Sequence, residues 1–329
     1  MREASVTESS VVGPPSRGSA YYDRWYSDMQ VSPVKDAILA RRLGIPADFG
    51  PVGVLPFGAL DDIAGRLALT EGALLADIAC GRGGYGIELA RRADARLAGV
   101  DFSAVALGQA RSTAARRLGR EVTAADLGRS AHTGLPGPRE NGDGLDAAHG
   151  LDAAHGLDTA HGPGAAHGTP ASTGWPGSPY LDTGRARFWL GTLTATGLSA
   201  ASVDALLCTD SIQFAGPPAA ALAEFHRVLR RGGRLALTTW MAADPEDARV
   251  PERIRQLDLQ RDLVDAGFED VVVEERPQWA AVERGLYEEA VATSNDGKDL
   301  ALASLQDEGR AALEDFDKMR RVVAFATRP

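Results

Sequence analysis

The sequence predicts an α/β protein built on a doubly wound, mostly parallel sheet with a C-terminal antiparallel strand. Three observations point there. Strand-like and helix-like segments alternate along the chain, a glycine-rich turn joins the first strand to its helix, and a last apolar run, Val322–Ala326, follows a helical stretch at the C-terminus.

The elements read in order as follows. Leu74–Ala79 is a short apolar run that meets glycines at once and leads into Ile87–Arg92, which has helical character. Leu97–Asp101 is the second strand, and Ser103 is placed to cap a helix running to about Arg117. Ala186–Leu190 and Val203–Cys208 read as buried strands. Ala221, Leu222, Phe225, Val228 and Leu229 recur at helical spacing, and Gly232-Gly233 are expected to stop that helix before a strand over Arg234–Thr239. Beyond it come a helix around Glu252–Ala266, a strand Val271–Glu275, a long helix Lys298–Lys318 and the last strand. A terminal strand does not fit a plain alternating unit, and an antiparallel strand inserted into the sheet accounts for it.

Between residues 127 and 184 the composition changes: Val, Ile, Phe and Lys vanish, and an imperfect hexapeptide repeat (GLDAAH, GLDAAH, GLDTAH, GPGAAH) fills residues 144–167. Such a segment buries too little apolar surface to offset its ordering entropy, and Asp-Ala-Ala-His-Gly is poor strand material for a β-helix. It is read as a disordered or loosely ordered insertion, as are residues 1–18. Five of the six histidines lie in it; weak metal binding is conceivable for such a tract, but repeat expansion is the simpler reading, and no metal site is expected. The domain proper is then 54–126 with 185–329, preceded by a helical segment over 19–53.

Bulk properties narrow the function. The 329 residues carry 45 acidic and 35 basic side chains, a net charge of −10, which opposes binding to a phosphate backbone. Two cysteines, no apolar leader and no membrane-length apolar run suggest a protein of the reducing cytoplasm, with neither nucleic acid nor membrane as partner.

The strongest local signal is Asp77-Ile78-Ala79-Cys80-Gly81-Arg82-Gly83-Gly84-Tyr85-Gly86 at a strand-to-helix turn, with Asp101 closing the next strand. Glycines let backbone approach a ligand closely, and a carboxylate at the second strand end can accept both ribose hydroxyls, so the pair marks an adenosine-cofactor site. Gly81, Gly83 and Gly86 also satisfy the dinucleotide pattern GxGxxG. Asp77 argues against that cofactor, since it would repel a pyrophosphate over the turn, whereas S-adenosylmethionine (SAM) has no phosphate and carries a cationic sulfonium and ammonium.

In these residues the chain resembles the class I SAM-dependent methyltransferases of Rossmann-like fold, and particularly the bacterial small-molecule (type 11-like) subgroup. The resemblance rests on Asp77–Gly84, on Gly99–Ser103 (GVDFS) and on Glu224–Gly233 (ExxRVLxxGG). It implies that Ala79, Gly81 and Gly83 line the methionine part of SAM, beside the acid Asp77, that Asp101 holds the ribose, that Phe102 packs on adenine and that Thr209 faces the cofactor. Thr192 stands where the family often has an adenine-reading Asp, and Gln213 where it often has a His after the fourth strand. Asp210 is the nearest candidate for a general base. Gln213, Trp240 at a carboxyl strand end, and Tyr22 of the Tyr21/Tyr22/Trp25 cluster are candidate substrate contacts, with the N-terminal helical segment as a lid. The subgroup likeness suggests methylation of a small molecule in natural-product metabolism. A SAM-binding cyclase, a non-catalytic binding protein and an NAD-dependent oxidoreductase remain the alternatives.

Overall fold

The computed structural model describes residues 19–29, 32–46, 49, 53–119 and 185–329. The expectations for residues 1–18 and for the 127–184 repeat lie outside the described residues. Helices α1 (Ser19–Asp28), α2 (Pro33–Leu43) and α3 (Ala59–Leu67) precede the sheet. The first half of the sheet comprises β1 (Leu74–Ile78), α4 (Gly84–Arg92), β2 (Arg96–Asp101), α5 (Ala104–Leu118) and β3 (Ala186–Leu190). The second half comprises β4 (Val203–Thr209), α6 (Pro218–Val228), β5 (Leu229–Ala242), α7 (Glu252–Arg255), α8 (Leu259–Asp265), β6 (Glu269–Glu275), α9 (Pro277–Ala292), α10 (Leu300–Asp315) and β7 (Met319–Thr327).

The strand order is β3-β2-β1-β4-β5-β7-β6. Strands β1 to β5 pair in parallel, and β7 enters antiparallel between β5 and β6. The expected doubly wound sheet with an inserted C-terminal strand is therefore what forms. Every residue of β1 is buried, as a central strand covered on both faces must be. Ser103 caps α5 by accepting from the Ala106 N–H at 3.1 Å, and its backbone is extended, as the N-cap position requires.

Three helix boundaries differ from the sequence reading, and one helix is new. The helix expected over 252–266 is two, because Asp258 accepts from the Arg261 N–H at 3.2 Å and caps a new start. The 298–318 helix runs Leu300–Asp315 and tightens into a 3₁₀ turn over Phe316–Lys318. Helix α6 stops at Val228, before the glycines: Leu229 is already extended and pairs with Val203 of β4, so Gly232-Gly233 lie inside β5. Helix α9 has no counterpart in the sequence reading. Its buried stripe contains a carboxylate, Glu283, among Trp279, Leu286, Tyr287 and Ala290, which breaks the apolar periodicity that marks a helix.

Candidate cofactor and acceptor site

The carboxyl end of β1 becomes a tight backbone cradle. Ala79, Gly81 and Gly83 all take positive φ (57°, 52° and 78°), a region open at little cost only to glycine, so Ala79 is a strained residue at the turn. The Cys80 N–H donates to Val100 O at 3.0 Å and the Gly83 N–H to Cys80 O at 2.8 Å, which folds the loop back over β2. A Cβ at Gly83 would lie 2.9 Å from Ile87 Cδ1, and one at Gly86 would lie 2.4 Å from Asp77 Oδ2. Glycine at 86 thus lets the Asp77 carboxylate sit against the first turn of α4, where the Gly86 N–H hydrogen-bonds it.

The two acids of the cradle are held by backbone amides. Asp101 Oδ2 accepts from the Gly81 N–H at 2.8 Å and Oδ1 from the Ser103 N–H at 2.9 Å, so the acid ending β2 is tied to the glycine loop. Burial pushes the Asp101 carboxyl up, against the amide hydrogen bonds that favour its charge. Burial pushes Asp77 up to about 8, the nearby Asp101 adds to the rise, and the Gly86 N–H opposes it.

Helix α1 covers this edge. Asp23 Oδ1 accepts from Ser103 Oγ at 2.5 Å and from the Val105 N–H at 3.2 Å, and the Gln109 amide donates to Tyr26 O at 3.0 Å. Tyr22 packs edge-on against Phe102 with ring centroids 5.0 Å apart. The structure therefore joins Tyr22 to Phe102, two residues that the sequence reading assigned separately to acceptor and adenine.

The other expected residues divide. Thr209 ends β4 with a buried hydroxyl that has no hydrogen-bond partner among the described residues. Thr192 is exposed and uses its hydroxyl to accept from the Ala195 N–H at 3.1 Å, closing its own turn. Gln213 is buried with both ends of its amide engaged: Nε2 donates to Asp210 O at 2.8 Å, and Oε1 accepts from Thr239 Oγ1 at 2.8 Å. Trp240 is buried too, its indole N–H 3.3 Å from Glu283 Oε1 and its ring edge-on to Phe316.

Asp210 belongs to a network that the sequence reading missed. Arg321 on β7, fully buried, grips it in a bidentate pair at 2.5 and 2.8 Å, and Thr238 Oγ1 donates to Oδ1 at 2.8 Å. Both oxygens are thus engaged, which competes with abstracting a proton. Arg321 also lies 3.5 Å from Glu283 Oε2 through Nε, within ion-pair range but without hydrogen-bond geometry. Burial, reinforced by the nearby Asp210 and Glu308 carboxylates, raises Glu283 to about 8, although Arg321 opposes the rise. The signal available in the sequence was an arginine at the head of the otherwise apolar run Val322–Ala326. Among the described residues no three His, Cys, Asp or Glu side chains are grouped to hold a metal ion, and no helix is long and apolar enough to cross a membrane.

A doubly wound sheet with an acid-flanked glycine cradle at its carboxyl edge is the arrangement on which α/β domains bind nucleoside cofactors. The family described as "Methyltransferase domain" matches residues 177–237, and no curated protein sequence matches the chain. Solved structures share the fold over nearly the whole chain. Geranyl diphosphate C-methyltransferase from Streptomyces coelicolor A3(2) is 14% identical at a TM-score of 0.54, covering 96% of this chain and 100% of that one. A phosphoethanolamine N-methyltransferase of Haemonchus contortus is 15% identical at 0.57, covering 94% and 60%. The cyclase SpnF is 18% identical at 0.55, covering 96% and 98%. The chain thus has the fold of class I SAM-dependent methyltransferases, and its residues 177–237 match a methyltransferase domain.

Proposed function

We propose that the protein transfers a methyl group from SAM to a small-molecule acceptor, in a role suited to natural-product metabolism. The observation that carries the reading is the cradle itself: two buried acids, Asp77 and Asp101, at a backbone turn that a Cβ at Gly83 or Gly86 would fill. Such a site favours a cationic, phosphate-free adenosine cofactor over a dinucleotide. The unpartnered Thr209 hydroxyl at the end of β4 fits the same group, as a buried donor awaiting an acceptor. The neighbours crystallised with geranyl diphosphate and with phosphomonomethylethanolamine support an acceptor of that size.

When bound, SAM supplies an electrophilic methyl group for in-line displacement. The glycine loop backbone and Thr209 would hold its amino-acid part, Asp101 its ribose and Phe102 its base, with Tyr22 of α1 packed against Phe102 at the same edge. Helix α1 excludes water from that edge through the Asp23 bonds to Ser103 and Val105. Positioning of this kind can supply roughly 7–11 kcal/mol of barrier reduction. Asp210, the candidate base, would have to reach the acceptor from within its pair with Arg321. Ordering the turn after β4 is the role its contacts suit best.

Calorimetric titration with SAM, S-adenosylhomocysteine and NAD tests the reading, repeated with Asp101→Ala. The first two should bind and lose about tenfold or more in the variant, the scale of a lost hydrogen bond to a charged group. Binding of NAD alone would discard the proposal. Product analysis with a bound acceptor then separates methyl transfer from SAM-assisted cyclisation, which the SpnF fold keeps as the second reading.

A further inference from the structure

A second cavity lies beside the cradle, walled by α1, α2, α10 and the outer side of the glycine loop. Trp25, Leu39 and Leu305 give it apolar sides, and Lys35, Arg82 and Glu308 bring charge-bearing groups to it. The four cradle residues Asp77, Gly81, Gly83 and Asp101 do not line it.

The two cations here are poorly compensated. Lys35 on α2 is 7% exposed, and its ammonium lies 3.5 Å from the carboxylate of its exposed neighbour Asp36. Arg82 projects from the loop between Gly81 and Gly83, has no ion pair or side-chain hydrogen bond among the described residues, and its buried Nε has no partner. Burial works against both charges, Asp36 opposes that for each, and Arg82 further lowers Lys35. The acid in the cavity does not neutralise them. Glu308 accepts the Tyr287 hydroxyl at 2.8 Å, and burial pushes its carboxyl up toward the neutral form. A buried Lys35 and a half-buried Arg82, set against the exposed Asp36 and a Glu308 held toward neutrality, leave positive charge facing the chamber. A half-buried guanidinium whose buried Nε has no partner among the described residues costs free energy unless a ligand completes it.

We propose that Lys35 and Arg82 form the recognition pair for an anionic group, a phosphate, phosphonate or carboxylate, on an otherwise apolar methyl acceptor; this rests on the methyl-transfer reading above. The planar fork of Arg82 suits a bidentate oxyanion, and the Lys35 ammonium adds a point charge in the same cavity. Trp25, Leu39 and Leu305 would hold the apolar body, and Ser304, whose hydroxyl accepts from the Trp25 indole at 3.1 Å, ties α1 to α10 around it.

The test saturates the full-length protein with S-adenosylhomocysteine and titrates it calorimetrically with phenyl phosphate, benzoate and phenol. At least one of the two anions should bind about tenfold tighter than phenol. Lys35→Gln and Arg82→Gln should each abolish most of that preference, and Lys35→Arg should keep it. Should Lys35→Gln melt early, Lys35→Met, which leaves the stem buried, repeats the measurement. Affinity for S-adenosylhomocysteine should stay within about twofold in the Lys35 variants, since a shift under about 0.4 kcal/mol excludes loss of a charged contact. Absent or phenol-like binding of both anions overturns the inference. So does a Lys35→Gln protein that loses the cofactor product but keeps the anion, because the pair would then serve the cofactor carboxylate. A wild-type protein that fails to bind S-adenosylhomocysteine removes the methyl-transfer reading itself, whereas bound product without anion preference removes this inference alone.

Discussion

Two pairs of carboxylates, buried except for the half-buried Asp210, flank the same sheet and are stabilised in opposite ways. Asp77 and Asp101 are held by backbone N–H groups of Gly86, Gly81 and Ser103, none more than 20 residues away in sequence. Asp210 and Glu283 are held by side chains, Thr238 on the first, Trp240 on the second and Arg321 between both, and Arg321 lies 111 residues from Asp210 on the inserted strand β7. Backbone donors cannot be deleted by a side-chain change, so the first pair survives as long as the loop keeps its path. The second pair depends on side chains throughout, with one guanidinium as its only cation among the described residues. The half of the site that resembles a motif is therefore robust in its electrostatics and intolerant of added volume, and the other half is the reverse.

The largest expected effect breaks the side-chain half. Arg321→Met leaves the half-buried Asp210 and the buried Glu283 without their cation and should cost about 3 kcal/mol in denaturant unfolding. Adding Asp210→Asn and Glu283→Gln to that variant should recover most of it; a single variant as stable as the parent would show that the network contributes nothing to the fold. Next is the volume limit on the backbone half. Gly86→Ala puts a methyl 2.4 Å from Asp77 Oδ2 and should cost about 1–3 kcal/mol by overpacking. Gly108→Ala, with open space around its Cβ, should not destabilise and serves as the control.

The pH dependence sharpens the comparison, because one acid of each pair is raised to about 8. A carboxyl raised on folding keeps its proton after the unfolded chain has lost it. Its effect on stability is nil below the ordinary carboxylate range, grows unfavourable as pH rises toward 8, and then levels off. Each group should lower stability by up to about 1.4 kcal/mol per pH unit in that window. Glu283→Gln should flatten its share, and urea midpoints at pH 5 and pH 8.5 read the difference. For Asp77 the same shift couples to ligand: SAM affinity should rise with pH up to about 8, with proton release visible in buffers of different ionisation enthalpy, and Asp77→Asn should remove that slope. The smallest effect concerns the lid. Asp23→Ala removes the bonds to Ser103 Oγ and the Val105 N–H and should cost about 1 kcal/mol locally. Faster hydrogen exchange in α1 with unchanged exchange in β1 would confirm that α1 opens by itself.

Much of the first half was legible because its determinants are local. A short apolar run, glycines at the turn and a capping serine specify β1, the cradle and the start of α5 from contiguous residues. Where a polar residue occupies a buried stripe, legibility fails: Glu283 hid α9, and Arg321 stood just outside the apolar run read as β7. Residues chosen by their place in a motif also changed meaning when their partners appeared. Gln213, expected to face the acceptor, joins Asp210 to Thr239, and Thr192 closes its own turn.

By itself the sequence determined the alternating sheet, the cradle, the acidic character that favours a cationic cofactor, and the antiparallel end of the chain, since period, turn chemistry and strand-end residues act over a few positions. Only the tertiary structure decided which cation satisfies Asp210, that Lys35 and Arg82 share a chamber, and that Tyr22 lies on Phe102. Those are pairings between residues tens to hundreds of positions apart, and nothing in local pattern distinguishes one distant arginine from another until the strands are laid side by side.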